Sequence, residues 1–195
     1  VVDATEAWIN NSADAPAVPN QFDVISFAYQ NPTSSTNTQI YKNGALADNH
    51  TGAGGPVTAN IKTIEIGGRS VLDAIYPGRI FNGDIAEIIY FTNNLNDIDR
   101  QKVETYLAIK YGITLTTNYL ASSNTVIYDV SSYNNNIIGI GRDDRSALYQ
   151  KQSRGENNQP VLTIALHAIA ADNQSNAGTL ATDQTTFITG SDNAP

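Results

Sequence analysis

Most of this sequence is made of short apolar runs, rich in β-branched and aromatic residues, that end at turn-forming residues. Such runs occupy residues 22–29, 38–42, 62–66, 84–91, 125–128, 136–140, 161–166 and 185–188. Asn43-Gly44 directly follows one of them, and these two residues tolerate the positive φ that a type I′ hairpin turn requires. The spacing of strands and turns predicts an all-β fold arranged as a β-sandwich.

One segment, residues 96–111, has the pattern of an α-helix instead. Asn96 is placed to cap its N-terminus, and Asp97 and Asp99 fall in its positive first turn. Gly112 suits the position just beyond the last turn. An apolar stripe is predicted to pack against the sheet and consists of Ile98, Val103, Tyr106, Leu107 and Tyr111. The sequence therefore predicts one helix in a β-rich chain.

The composition excludes several classes of function. The 195 residues include 19 acidic and 11 basic residues, a net charge of −8, and the cations are scattered, so nucleic-acid binding is not expected. No apolar run approaches the ~20 residues of a membrane-spanning helix, so membrane insertion is not expected. The absence of Cys removes disulfides and thiol nucleophiles. Few charges with abundant Asn, Thr, Ser and Gly are typical of an exported β-protein.

Three motifs together resemble a known family. They are Ile40-Tyr-Lys-Asn-Gly44, Ile64-Glu-Ile-Gly-Gly68 and Phe81-Asn-Gly-Asp-Ile-Ala-Glu-Ile-Ile-Tyr-Phe91, and Leu95 with a short acidic helix follows them. With these motifs, residues 22–95 resemble the closing half of a laminin-G-like, concanavalin A-like jelly roll. The resemblance implies a jelly-roll-like β-sandwich portion, with its closing helix, over residues 1–115. Residues 84–91, apolar on both faces, are expected to form a strand inside that sheet.

The sequence downstream resembles the module that follows such jelly rolls in large surface and secreted proteins of Bacteroidota. The matching stretches are residues 99–115, 118–120, 136–144 and 150–153. This resemblance implies a second β-rich module over residues 119–195, expected to be incomplete and without an assigned activity. It also implies an internal portion of an extracellular, cell-surface protein whose opening strands lie upstream or come from elsewhere, and the absence of Met agrees with this.

The sequence contains none of the common catalytic constellations. Jelly-roll glycosidases need two carboxylates on one face of a strand, about 5 Å apart. Asp84 and Glu87 have an odd spacing, which places their side chains on opposite faces. His50 and His167 stand outside the serine-hydrolase and zinc motifs. We therefore expect no enzymatic activity.

Two clusters are candidate binding residues. Tyr133, which is followed by Asn134, Asn135 and Asn136, and Tyr149 lie in or beside loops. Exposed aromatic faces next to amide groups can bind a sugar ring and its hydroxyls. These five residues are therefore a candidate glycan-binding set.

Asp143 and Asp144 are candidate ligands for Ca²⁺, the one cofactor that the sequence leaves open. Hard cations of this kind bind carboxylate, amide and carbonyl oxygens in loops. The alternative is that Arg142 and Arg145 neutralise the two acids in an exposed turn.

Three roles remain open from the sequence. The first is a non-catalytic structural or adhesive segment of a large secreted bacterial surface protein, with surface polysaccharide or neighbouring domains as partners. The second is a carbohydrate-binding, lectin-like module assisted by calcium. The third is a subunit of a fibre or surface assembly whose strand edges are completed by strand addition.

Overall fold

A computed structural model describes residues 22–30, 36–52, 66–67, 81, 83–155 and 162–192. Within these residues the chain is mostly β-strand with a single α-helix, which confirms the predicted β-rich fold class. The strands are β1 (Ile25–Gln30), β2 (Thr36–Lys42), β3 (Ala45–Gly52), β4 (Tyr119–Leu120), β5 (Val126–Tyr128), β6 (Asn135–Asp143), β7 (Leu148–Gln150), β8 (Gln152–Arg154), β9 (Thr163–Ala165) and β10 (Thr185–Ser191). All of the strand pairs are antiparallel.

Strands β1, β2 and β3 form one sheet in that order. The predicted turn at Asn43-Gly44 joins β2 to β3, and its φ angles of 50° and 88° are positive, as a type I′ turn requires. The side-chain oxygen of Asn43 accepts a hydrogen bond from the backbone N–H of Val24 at 2.8 Å. Its backbone oxygen accepts one from the N–H of Thr116 at 2.9 Å. Asn43 thus ties the hairpin to the C-terminal half of the chain.

Helix α1 (Asp97–Tyr111) lies where the sequence predicts it. The side-chain oxygen of Asn96 accepts a hydrogen bond from the N–H of Asp99 at 2.9 Å, and Gly112 ends the helix with a φ of 67°. Within the described ranges no helix has the length and apolar character of a membrane span.

The predicted apolar stripe of α1 is only partly right. The fully buried face consists of Glu104, Thr105, Ala108 and Ile109, whereas Ile98 is exposed. Glu104 tolerates burial because Arg100 donates to its two carboxylate oxygens at 2.7 and 2.8 Å. The guanidinium of Arg100 in turn lies 3.5 Å from the ring centre of Tyr41 on β2. Apolar spacing alone cannot reveal a buried ion pair of this kind.

The second three-stranded sheet has the order β10-β6-β7, and nearly every residue of β6 is buried. Helix α1 packs against β4, β6, β7 and β8. The resulting core contains Val24, Ala108, Ile109, Ile113, Leu115, Tyr119, Ile137 and Leu148. Core residues therefore lie on both sides of the interval between residues 115 and 119, and α1 packs with the strands that follow it.

Residues 84–91 differ from the prediction of a strand inside a sheet. The segment joins no β-ladder with the described part of the chain. Its large apolar side chains are exposed: Ile85, Ile88, Ile89, Tyr90 and Phe91. The exposed fractions reach 51% for Ile88 and 67% for Tyr90. The described residues do not provide the expected cover on each face. Apolar character indicates that a segment favours burial but does not specify what covers it.

Candidate functional site

A cleft of about 460 Å³ lies between α1, the extended segment at residues 84–95 and two turns of the C-terminal half. Its apolar wall consists of Ile89, Phe91, Leu95 and Val103. Its polar side chains lie on residues 84–95, on α1 and on the two turns. A volume of this size falls within the range of small-molecule sites. The cleft is therefore the candidate functional site of the described structure.

Glu87 fixes the extended segment to α1 at one side of the cleft. One carboxylate oxygen accepts a hydrogen bond from the hydroxyl of Tyr106 at 3.1 Å. The other accepts from the ammonium of Lys110 at 2.9 Å and from the hydroxyl of Tyr111 at 3.0 Å. Lys110 also donates to the hydroxyl oxygen of Tyr106 at 2.8 Å. Three hydrogen bonds thus connect the carboxylate of Glu87 to one face of the helix, and the bond from Lys110 to Tyr106 joins two of the donors.

This network shifts the pKa values of its members in opposite directions. Burial alone would raise the pKa of Glu87, but the hydrogen bonds from Lys110, Tyr111 and Tyr106 outweigh it and lower that pKa. Burial would lower the pKa of Lys110, whereas its hydrogen bonds to Tyr106 and Glu87 raise it. Glu87 is therefore ionised and Lys110 protonated at neutral pH. Neither group is poised for proton transfer there.

Asp143 lies behind the polar end of the cleft and accepts hydrogen bonds from two serines that line it. Only 4% of Asp143 is exposed. Its carboxylate accepts from the backbone N–H of Ser122 at 2.7 Å and from the Ser122 hydroxyl at 2.6 Å. Its backbone oxygen accepts from the hydroxyl of Ser146 at 3.1 Å. Because each hydroxyl proton points to Asp143, both serine oxygens can only accept hydrogen bonds from a ligand.

Two cationic side chains line the cleft, and they differ in whether a described carboxylate pairs with them. Lys102 donates to Asp99 at 2.8 Å, and this hydrogen bond is the main reason that the pKa of Asp99 is lowered. Arg145 is exposed and makes no hydrogen bond or ion pair with the described residues. The charge of Arg145 acts on Asp99 only at a distance. Among the described residues, Arg145 is thus the cation lining the cleft that lacks a direct counter-ion.

The comparisons with known proteins concern the C-terminal half. Residues 99–195 match the model of a family described as "Domain of unknown function (DUF8202)". No curated protein and no solved structure matches the chain. The matched region begins in the first turn of α1 and includes the helix with the strands that pack on it. The similarity thus covers the helix-centred core and assigns no activity to it.

The structure separates the two residues predicted to hold calcium. The carboxylate of Asp143 points inward to Ser122, whereas that of Asp144 is exposed and accepts from Arg142 at 2.7 and 2.8 Å. The hydrogen bonds from Arg142 lower the pKa of Asp144. No group of three or more acidic, His or Cys side chains in the described ranges is placed to share a metal. The two carboxylates therefore point to different partners, and calcium binding by these residues stays a prediction.

The predicted glycan-binding residues also lie apart. Tyr133 and Asn134 are exposed just before β6, and Asn135 is the half-buried first residue of that strand. The amide of Asn135 donates to the side-chain oxygen of Asn134 at 2.8 Å. Asn136 is buried and donates to Ser191 at 3.3 Å.

Tyr149 lies near the other end of β6, opposite Arg142 in the register. Arg142 is seven residues along the strand from Asn135, about 23 Å at ~3.3 Å per residue. The hydroxyl oxygen of Tyr149 accepts from the backbone N–H of Leu180 at 3.0 Å. The structure thus brings only Tyr133, Asn134 and Asn135 together.

Sequence reasoning missed Ser122, Arg145 and Ser146 as residues of one site. Ser122 is 21 positions from Asp143, and no local pattern indicates their contact. A weak signal exists for Arg145, because Arg142 and Asp144 are two residues apart at the end of a strand and so suit a same-face pair. Because Arg142 pairs with Asp144, Arg145 does not have Asp144 as its ion-pair partner.

Proposed function

We propose that this chain is a non-catalytic structural segment of a bacterial surface protein, and that it joins a second copy of itself by antiparallel pairing of residues 84–91. The observation that carries the proposal is the exposed, apolar character of this segment, which belongs to no helix or strand of the described residues. The resemblance to surface proteins of Bacteroidota supports the setting. The exposed apolar side chains of the segment suit strand addition, which supports self-association through it.

The backbone of residues 84–91 has no ladder partner among the described residues. A strand without a neighbour leaves backbone N–H and C=O groups available to another chain. Side chains on both faces of the segment are apolar and exposed, including Ile88 and Tyr90 on one face and Ile89 and Phe91 on the other. Pairing with another strand would satisfy the backbone groups and remove apolar surface from water.

Hydrogen bonds to α1 also hold the segment in place. Glu87 fixes its centre to Tyr106, Lys110 and Tyr111, and the ring of Phe22 stacks on that of Tyr111 with centroids 6.4 Å apart. A segment that is already fixed to a helix loses less conformational entropy when a partner strand binds. The hydrogen bonds to Glu87 also occupy the carboxylate that an enzymatic role would require.

A second copy fits this edge because the segment is complementary to itself. Antiparallel pairing about a two-fold axis at Ile88 places Ile85 opposite Phe91 and Glu87 opposite Ile89. No two acidic side chains stand directly opposite each other in this register. Lys110 compensates the charge of Glu87 at 2.9 Å. The pairing therefore places apolar side chains opposite each other at Ile85 and Phe91 and produces no like-charge clash, while Glu87 stays bound to α1.

Sedimentation equilibrium tests the proposal with two matched variants. Ile88→Lys places two ammonium groups beside each other at the two-fold axis, where like charges are unfavourable. Ile169→Lys makes the same change at another exposed isoleucine, outside the segment. We expect a wild-type dimer with a dissociation constant in the micromolar range, at least about tenfold weaker association for Ile88→Lys, and no change for Ile169→Lys.

Two outcomes would contradict the proposal. One is a wild-type chain that stays monomeric across the micromolar range. The other is an equal loss of association in the two variants, which would indicate a general effect of added charge. Circular dichroism of each variant shows whether its β content is retained, so that a folding defect is not counted as a loss of pairing.

A further inference from the structure

We propose that the cleft between α1 and residues 87–95 binds a small carboxylic acid with an apolar body. This inference concerns a different face of the segment from its backbone edge and does not rest on self-association. The charge state of the cleft, its hydrogen-bonding groups and its apolar wall lead to the same class of ligand.

The charged groups of the cleft leave one positive charge without a direct partner. Asp99 is paired with Lys102 at 2.8 Å, and Glu87 is paired with Lys110 at 2.9 Å. Arg145 has no hydrogen bond or ion pair with the described residues. A guanidinium presents a planar set of donors that matches a carboxylate in a two-point contact. A ligand with a single carboxylate would complete the charge pairing of the cleft.

The neighbouring arginine shows why Arg145, and not Arg142, has this role. Arg142 donates to both oxygens of Asp144, and one of its amino groups also donates to the backbone oxygens of Leu180 and Ala181 at 3.0 and 3.1 Å. Its donors are therefore engaged in joining two parts of the chain. Arg145 comes from the same turn but lines the cleft.

The hydroxyl groups beside Arg145 restrict where the carboxylate can lie. Ser122 and Ser146 each donate their hydroxyl proton to Asp143, so their oxygens offer only lone pairs to the cleft. These oxygens repel a carboxylate and leave the guanidinium as the favourable position for it. At the polar end of the cleft, a carboxylate is therefore favoured beside Arg145 and disfavoured over the two serines.

The opposite part of the cleft suits an apolar group. Ile89, Phe91, Leu95 and Val103 line it, and Ile89 and Phe91 are exposed. A chain or ring that covers them removes apolar surface from water. The volume of about 460 Å³ accommodates a ligand that reaches from this wall to Arg145.

Octanoate and octanamide test the inference, since they share an apolar chain and differ in the charge of the head group. Each is titrated into the full chain, below the concentration at which it associates, and followed by backbone amide NMR shifts. We expect octanoate to bind at least about tenfold more tightly than octanamide, with the largest shifts at Ser122, Ser146 and Phe91.

Two arginine variants separate the site from a general charge effect. Arg145→Ala should reduce octanoate affinity to that of octanamide and leave octanamide binding unchanged. Arg154→Ala removes another exposed arginine, one that lies outside the lining of the cleft, and should bind octanoate like the wild type. Because Arg145 has no hydrogen-bond or ion-pair partner among the described residues, we expect the variant to keep the wild-type unfolding transition.

Several results would overturn the inference. Equal affinity for octanoate and octanamide would show that the carboxylate is not recognised. Unchanged octanoate binding by Arg145→Ala would place recognition elsewhere, as would shifts confined to residues outside the cleft. No measurable binding of octanoate up to its solubility limit would remove the site altogether.

Discussion

Gly112 is the residue at which backbone conformation and packing restrict the sequence most strongly. It ends α1 with a φ of 67°, and a Cβ at this position would overlap the backbone oxygen of Arg154. The helix end therefore lies against β8 with no room for a side chain. Two separate costs, left-handed backbone and close approach, apply to any replacement.

Gly112→Ala should therefore destabilise the chain by more than backbone strain alone. Gly67→Ala is the matched control, because Gly67 has a φ of 76° but no atom within 4 Å of an added Cβ. The control should lose only the ~1–2 kcal/mol of left-handed backbone strain. Urea unfolding measures both changes in free energy. Equal losses in the two variants would show that the close approach at Gly112 is not significant.

Glu87 gives a pH dependence whose sign follows from its hydrogen bonds. Its folded pKa lies below the ordinary value of 4.5, so its contribution to stability is fully present above that value and is lost as the pH falls through the folded pKa. Glu87→Gln removes the titration, so its free energy of unfolding should change less with acid pH than that of the wild type.

Urea unfolding between about pH 3 and pH 7 measures this difference. Asp84→Asn is the control, because Asp84 is an exposed carboxylate on the same segment. The control should keep the wild-type pH profile. If Glu87→Gln and the wild type gave parallel profiles, the network with α1 would not contribute to stability.

At the scale of elements, local chemistry was sufficient where an element is determined by adjacent residues. Asn96 and Gly112 defined the ends of α1, and Asn43-Gly44 defined the hairpin turn, because caps and tight turns depend on neighbouring backbone groups. Burial of Glu104 could not be predicted in this way, since it depends on Arg100 and on Tyr41 from a distant strand.

The candidate site was difficult to predict for the same reason. Glu87 contacts Tyr106 and Lys110 across 19 and 23 positions, and the position of Ser122 depends on Asp143. The apolar character of residues 84–91 can be read from the sequence, yet the sequence does not show that their side chains are exposed. Contacts between distant residues determine the cleft, and residue patterns contain little information about them.

The residues that share the core predict that an independent folding unit begins at α1. Ala108 and Ile109 of α1, and Leu115 after it, pack in the same cluster as Tyr119 and Ile137. A fragment of residues 96–192 should therefore unfold cooperatively, although less stably than the full chain because it lacks Val24. A fragment of residues 119–192 should not fold.

Circular dichroism with thermal unfolding distinguishes the two fragments. A cooperative transition for residues 119–192 alone would show that α1 is not required for the C-terminal strands, in agreement with a domain boundary at residues 115–119. No transition for residues 96–192 would show that the unit extends into the N-terminal sheet, which contributes Val24 to the core.

At the scale of the whole molecule, self-association combines an apolar attraction with a net repulsion. Each copy has a net charge of −8, and two such copies repel each other at low ionic strength. Added salt screens this repulsion while the apolar pairing of residues 84–91 persists. The proposed assembly is therefore one that strengthens with salt, unlike an association held by ion pairs.

Hydrogen exchange of the backbone amides at residues 84–91 tests the central claim most directly. These amides have no ladder partner among the described residues, so in dilute protein they should exchange quickly, while those of the buried strand β6 stay protected. At concentrations above the dissociation constant, alternate amides of residues 84–91 should become protected, since one edge of an antiparallel strand presents every second N–H. Unchanged exchange across that range, or new protection only elsewhere in the chain, would contradict the account.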